Sequence, residues 1–391
     1  MAGTTADKLN YLSSTKDVLK SGLIDIGCPV VESTTFREMA QMVGDGISKG
    51  NFTDNNAVLV DTGRLADFTN ALTIKGMCYG AGYWVAIAND SSSRVYCIYS
   101  TNITGPWTLR MIASDAIDVY GLTYAGGYFW SGAESAVSHN SVCIIRFTVS
   151  QMTSGQWSGF THSGYSYYDV ASDGTNAVGV GFSTIHSCSA WFYTSGPNRT
   201  EYYGSGVTKQ LIKVCVYKGR PVCITSDGYY TTFASMTPTG VPALSQIASG
   251  FTSKCIAVMG DYLVVAGTKS DGTYICYTNS SPGNSMSWTA KKIMPDMVTP
   301  LALAYADGQC VLAYQTNSGI CFASAKTVTE EWITTVAPAK GLDGCTSGIV
   351  ESGNSLIGIA AGRSDGCRAG EVIKSYGLIA SGGWGDISDL Y

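Results

Sequence analysis

Charge is scarce in this sequence. Asp, Glu, Lys and Arg make up only 14% of its 391 residues, well under the quarter usual for globular chains. The net charge of -5 argues against a dedicated nucleic-acid surface. Histidine is scarcer still: His139, His162 and His186 are the whole supply, and their spacing marks no metal site. The thirteen cysteines are an odd number without a C-x-x-C pair, so a disulfide framework is not expected. Cys97, Cys276 and Cys321 sit inside apolar runs and read as small buried thiols. No run of about 18 apolar residues offers a membrane span, and the opening MAGTTADKLNYLSSTKDVLK has no apolar core of the signal-peptide kind. Phosphate-cradling and dinucleotide glycine patterns are missing, as are the patterns of Ser or Cys nucleophiles. No cofactor, no metal and no catalytic residue are assigned.

Glycine and tyrosine are abundant instead. With 46 Gly, 24 Tyr and 45% hydrophobic residues, the composition suits many short strands joined by tight turns. From about residue 72 the chain repeats weakly. A turn glycine followed by an apolar strand recurs as YGAGYWVAIA, YAGGYFWSGA, SDGTNAVGVG, YKGRPVCITS, VMGDYLVVAG, YADGQCVLAY and ESGNSLIGIA. The glycines are Gly82, Gly127, Gly174, Gly219, Gly260, Gly308 and Gly353, separated by 45, 47, 45, 41, 48 and 45 residues. A second marker advances with them: RVYCIYS, SVCIIRFTV, SAWFYTS, YYTTFAS, TYICYTNS, GICFASA and AGEVIKS.

A period near 45 residues without helical stretches is the size of a four-stranded propeller blade. The expected fold is therefore mainly β, a seven-bladed β-propeller with a short N-terminal helical module. Residues 1–50 form the helical attachment or oligomerisation module. Residues 51–71 form a linker in which AVLVDTG supplies a strand able to close the ring, and residues 72–391 form the propeller. In the module, Leu9, Leu12, Lys16, Val18 and Leu19 space like one amphipathic helix. Phe36, Met39, Ala40, Met42 and Val43 form the stripe of a second, capped by Ser33 or Thr34.

A tryptophan recurs after the second marker, in NITGPWT (Trp107), TSGQWSG (Trp157), NSMSWTA (Trp288) and TEEWITT (Trp332). Four copies at one structural address point to fold maintenance, since four blades do not share a reaction centre. The first copy resembles a degraded Asp-box, the S-x-D-x-G-x-x-W hairpin of sialidase-like propellers. Ser100 and Trp107 keep the outer spacing, Asn102 stands where the acid is expected, and Gly105 comes one place late. Arg-Ile-Pro, the usual landmark of that family, is absent, and no carboxylate pair can be assigned by spacing.

Binding is the better functional expectation. Propeller loops gather on two faces, and Tyr offers rigid apolar area with a polar tip. The richest stretches are HSGYSYYDV and WFYTSGPNRTEYYGSG. They make Tyr165, Tyr167, Tyr168, Asn198, Arg199, Tyr202 and Tyr203 the ligand-binding candidates.

The segment TADKLNYLSSTKDVLKSGLIDIGCPVVESTTFREMAQMV resembles the N-terminal segment of tail-fibre or baseplate-associated proteins from phages of Gram-positive bacteria. Lys8, Leu9, Tyr11, Leu12, Thr15 and Lys16 carry the first half of the resemblance, and Phe36, Arg37 and Ala40 the second. It covers about 45 residues and implies a virion protein made in the host cytoplasm and attached to other tail or baseplate proteins. The expected function is that of a non-enzymatic adhesin binding a host cell-surface carbohydrate or protein through propeller loops, as a homo-oligomer, without nucleic acid or membrane insertion. A structural baseplate part and a tail-associated glycoside hydrolase are the alternatives.

Overall fold

A computed structural model describes residues 72–334, apart from 102–107, 115–116, 136–141, 241–242, 307–308 and 318. It also describes five short strands outside that span, together with residues 13, 15–17, 20 and 35. Ser13, Thr15–Asp17 and Lys20 are helical; the rest of the expected helical module, the NITGPW stretch with Trp107, Gly308 and Gly353 lie outside the described residues.

Six four-stranded antiparallel sheets follow one another along the chain. The first holds Leu72–Gly80, Tyr83–Asp90, Val95–Ser100 and Thr108–Ala113. The second holds Ile117–Ala125, Tyr128–Ser135, Val142–Phe147 and Ser158–Thr161, and the third Tyr165–Ser172, Ala177–Ser183, Cys188–Ser195 and Asn198–Tyr203. The fourth runs from Leu211 to Gln246, the fifth from Thr252 to Met294 and the sixth from Thr299 to Thr334. Each is a meander whose first strand packs against the first strand of the next sheet, so the sheets are arranged radially with those strands innermost. Seven such units were expected; the described residues hold six complete ones.

The turn glycines do what the repeat requires of them. Gly82, Gly127, Gly174, Gly219 and Gly260 all lie in the turn from innermost to second strand, with positive φ. Gly82 has φ 81° and Gly127 φ 87°, a region only glycine enters at low cost. These turns define the lower face. The upper face is where the innermost strands begin and the outer strands end.

Packing between sheets explains the apolar runs. A second strand such as Tyr83–Asp90 is covered on both sides, so its residues from Val85 to Asp90 are all buried and no alternation survives. Each apolar cluster straddles two neighbouring sheets, as where Val264, Ala266 and Ile275 of the fifth meet Leu312, Cys321 and Ala323 of the sixth. Full burial of one such aliphatic side chain is worth about 1.5–3 kcal/mol. Trp157, Trp288 and Trp332 each pack into the cluster shared with the preceding sheet, which is the scaffold role their recurrence implied. The cysteines follow the same rule: Cys97, Cys276 and Cys321 are fully buried, and burial pushes the Cys276 thiol up to about 12.

One repeated feature left no mark in the sequence pattern. All six innermost strands carry a bulge, at Lys75, Gly121–Leu122, Tyr168, Ile212, Lys254 and Leu301. A bulge bends its strand and increases the local twist. Repeated around the axis, the bulged strands line a central cavity of about 410 Å³.

Beyond the six sheets, Leu59–Asp61 pairs antiparallel with Glu371–Ile373, which also pairs with Gly358–Ile359. Cys345–Ser347 pairs with Ala361–Arg363.

Candidate functional site

The seven tyrosine-loop candidates all fall on the third sheet, but in different environments. Tyr165 and Tyr167, two apart on the innermost strand, share a side and face the second sheet. Tyr167 is fully buried against Phe192, with ring centroids 4.8 Å apart. Its hydroxyl is buried without a partner among the described residues, and burial raises its pKa well above the ordinary tyrosine value. Tyr168 is the bulge residue and lies edge-on to Tyr120 at 5.5 Å. Tyr202 stacks between Trp191 at 6.1 Å and Tyr193 at 6.0 Å, toward the fourth sheet. Asn198 is exposed beside the lower-face turn. Arg199 and Tyr203 look into the wedge between the second and third sheets.

At the upper end of that wedge four rings form a row. His162, in the loop entering the third sheet, stacks on Tyr165 with centroids 3.9 Å apart and planes 17° apart. Tyr165 meets His186 edge-on at 6.1 Å. His186 stacks on Tyr203 at 3.8 Å and 7°. Tyr203 is 45% exposed and both histidines lie at the surface. The loops that carry the imidazoles are tied together, since the Thr184 amide donates to Gly164 O at 2.8 Å, and the His186 amide donates to Ser183 Oγ at 3.3 Å. Below the row, Glu201 collects His162 Nδ1 at 2.7 Å, Arg199 Nη2 at 3.3 Å and the Cys143 thiol at 3.4 Å.

Toward the axis the upper face continues as a second arc. Lys75 lies over the Tyr120 ring at 5.4 Å. Glu134 accepts from Tyr120 OH at 3.4 Å and from Ser166 Oγ at 3.1 Å. Burial first, and the Glu134 carboxylate second, push the Tyr120 hydroxyl well above its usual pKa. Inside the cavity, Asp169 accepts the Val214 amide at 3.0 Å and pairs with Lys213 at 3.6 Å. Burial outweighs both, so its pKa is raised.

Glu134, Glu201 and Asp169 are thus each held by donors of the chain itself. What the upper face offers a ligand is stacked aromatic area, imidazole and phenol groups at the surface, and fixed polar neighbours. Sequence reading singled out Tyr203 and Arg199 but passed over His162, His186, Glu201, Tyr120 and Glu134. A signal was present. Once the units are aligned, residue 162 precedes an innermost strand and residue 186 lies between second and third strands, both on the upper face. Arg199, Glu201 and Tyr203 are spaced by two in one strand and must share a side.

No protein-family model matches this chain, and no curated protein sequence matches it. Solved structures do. YCF48 from Cyanidioschyzon merolae shares 12% identity at TM-score 0.57, over 82% of this chain and 98% of that one. YCF48 bound to a D1 peptide gives 14% and 0.56, over 82% and 95%. The β-propeller domain of Myceliophteria thermophila Cps50 (Swd1) gives 11% and 0.51, over 79% and 98%. Likeness at this identity establishes the β-propeller fold and nothing finer. None of these three is a phage tail protein, so they lend nothing to the N-terminal resemblance.

Proposed function

We propose that this propeller is a recognition head that binds carbohydrate on its upper face, with the row His162–Tyr165–His186–Tyr203 as the platform. The row carries the reading: stacked rings at a surface, pinned by hydrogen-bonded loops, suit the apolar faces of sugar rings, while imidazole and phenol tips suit their hydroxyls. Tyr168 and Tyr120 extend the same surface toward the axis. The resemblance at the N-terminus supports placing this head on a phage tail as an adhesin for a host cell-surface glycan, mounted through residues 1–50 and present in several copies that gain by avidity. A host surface protein is the other partner this face would take.

The head is a seven-bladed ring in this reading. Gly358–Ile359 and Ala361–Arg363, one residue apart, count as two parts of one strand. Cys345–Ser347, that strand, Glu371–Ile373 and Leu59–Asp61 then make a seventh four-stranded sheet. Two observations support it. Ala361–Arg363 approaches the first sheet, and Cys345–Ser347 approaches the sixth. The structural match with YCF48 also spans 82% of the chain, more than the two thirds that the six sheets occupy. Deleting residues 1–50 should leave the melting temperature of the propeller nearly unchanged, whereas deleting residues 1–63 should lower it sharply. Equal melting of the two truncated proteins would exclude closure by residues 59–61.

Binding is tested with purified protein on walls of competent host cells, intact and stripped of individual glycans. Saturable binding lost with one glycan class, without release of sugar fragments, is the expected result. Release of defined fragments would make the protein a hydrolase instead, and absence of binding to every competent host would sink the adhesin.

A further inference from the structure

The wedge below the aromatic row is built differently from the others. The outer strand Asn198–Tyr203 directs Arg199 and Glu201, with Tyr203, toward the second sheet. The Arg199 guanidinium lies over the Phe160 ring at 4.2 Å. From the opposite wall, the Arg146 guanidinium lies over the same ring at 4.7 Å and over Tyr128 and Trp130 at 5.0 and 5.6 Å. Two cations therefore share one phenylalanine.

Their polar demand is not met among the described residues. Arg146 Nε and Nη1 and Arg199 Nε are buried and make no hydrogen bond. Among the described residues Arg146 has no ion pair, and Glu201, which pairs with Arg199, already serves His162 and Cys143. Two permanent positive charges thus face one carboxylate. Stacking on the rings offsets part of the desolvation, but guanidinium N–H donors without acceptors remain, and such donors suit an oxyanion. Arg199 keeps 22% of its side chain exposed, so the wedge is open at its rim, on the same side of the strand as Tyr203 with Glu201 between them.

We propose that this wedge is an oxyanion subsite: Arg146 and Arg199, over a Phe160 floor, take the carboxylate, phosphate or sulfate of an acidic saccharide whose neighbouring sugar lies on Tyr203. The proposal rests on the reading of the upper face as a saccharide platform, and it makes the ligand an acidic glycan. Glu201 offsets only one of the two guanidinium charges, so the wedge keeps a net positive charge toward an anion.

The test uses the full-length protein and oligosaccharides matched in backbone, one neutral and the others carrying a uronic carboxylate, a phosphate or a sulfate. A parallel titration with inorganic phosphate follows the arginine Nε–H resonances of the labelled protein. The wild type should prefer at least one charged form by roughly tenfold, the effect of one charge-assisted contact, and the preferred form identifies the oxyanion. That charged-to-neutral ratio should collapse toward one in Arg146→Gln and in Arg199→Gln. Should either variant fail to fold, the wild-type ratio and the phosphate titration decide. Equal affinity for all forms, with arginine signals unmoved by phosphate, would overturn the subsite and leave the platform standing. No saccharide bound, but both arginine signals shifted by phosphate, would keep the subsite and overturn the platform.

Discussion

The wedge between the fifth and sixth sheets and the wedge between the second and third are built from the same strands in the same order, yet they hold different chemistry. The former is dry. Trp332, Val264, Leu312 and Cys310 close it, the indole donates to Val328 O at 3.4 Å, and burial pushes the Cys310 thiol up to about 12. The latter carries Arg146, Arg199, Glu201, a Tyr167 hydroxyl buried without a partner among the described residues, and two stacked ring pairs at its mouth. At the outer position where the sixth sheet follows its third strand with a tryptophan loop, the third sheet makes a tight turn and runs on as NRTEYY. A scaffold that can be closed with Trp and aliphatic residues has been left polar at one joint. Polar groups in a wedge cost stability, and such costs concentrate at functional sites.

Substitutions can break or sharpen this contrast. The largest effect is expected in the dry wedge. Trp332→Ala should cost about 3–5 kcal/mol of unfolding free energy, read by chemical denaturation, and should leave glycan affinity unchanged because the residue lies at another joint. A loss of affinity would dissolve the distinction between the two wedges. Next comes Tyr203→Ala. With 45% of the residue exposed, stability should move by no more than about 0.5 kcal/mol. Removing one face of the platform should weaken glycan binding by roughly tenfold, the effect of one lost aromatic contact. Calorimetric titration beside a melting curve checks both halves.

Tyr167→Phe is smaller and opposite in sign. The hydroxyl has no partner, so its removal should leave stability unchanged or raise it by up to about 1 kcal/mol. A clear loss would mean that the hydroxyl is satisfied in solution. Smallest is the pH effect at Asp169. Its folded pKa is raised by burial, against Lys213 and the Val214 amide. The stability it contributes is therefore full below the unfolded aspartate value and lost as pH rises through the folded one. Asp169→Asn should remove that decline. An unaltered stability–pH curve from the ordinary aspartate range upward would contradict the assignment.

Part of this architecture is legible in the sequence, for reasons particular residues show. Turn glycines such as Gly82 and Gly127 are forced by backbone sterics, so they survive weak conservation of everything around them. The tryptophans recur because one address in a blade wants one large plug. The bulges are invisible because residues as unlike as Lys75, Tyr168 and Leu301 all sit in them; strand curvature, not side-chain type, sets their place. Burial of Tyr165 and Tyr167 is decided by the neighbouring sheet, which no local pattern reports. The Arg146–Phe160–Arg199 stack is harder still, joining positions 53 residues apart in sequence across a joint.

Backbone amide exchange of the full-length protein, with and without a bound host cell-wall glycan, tests the central claim most directly. Protection should appear at residues 162–168, 184–187 and 198–203, the mouth of the polar wedge. Protection confined to the lower-face turns or to residues 327–332, with those three segments unchanged, would contradict it.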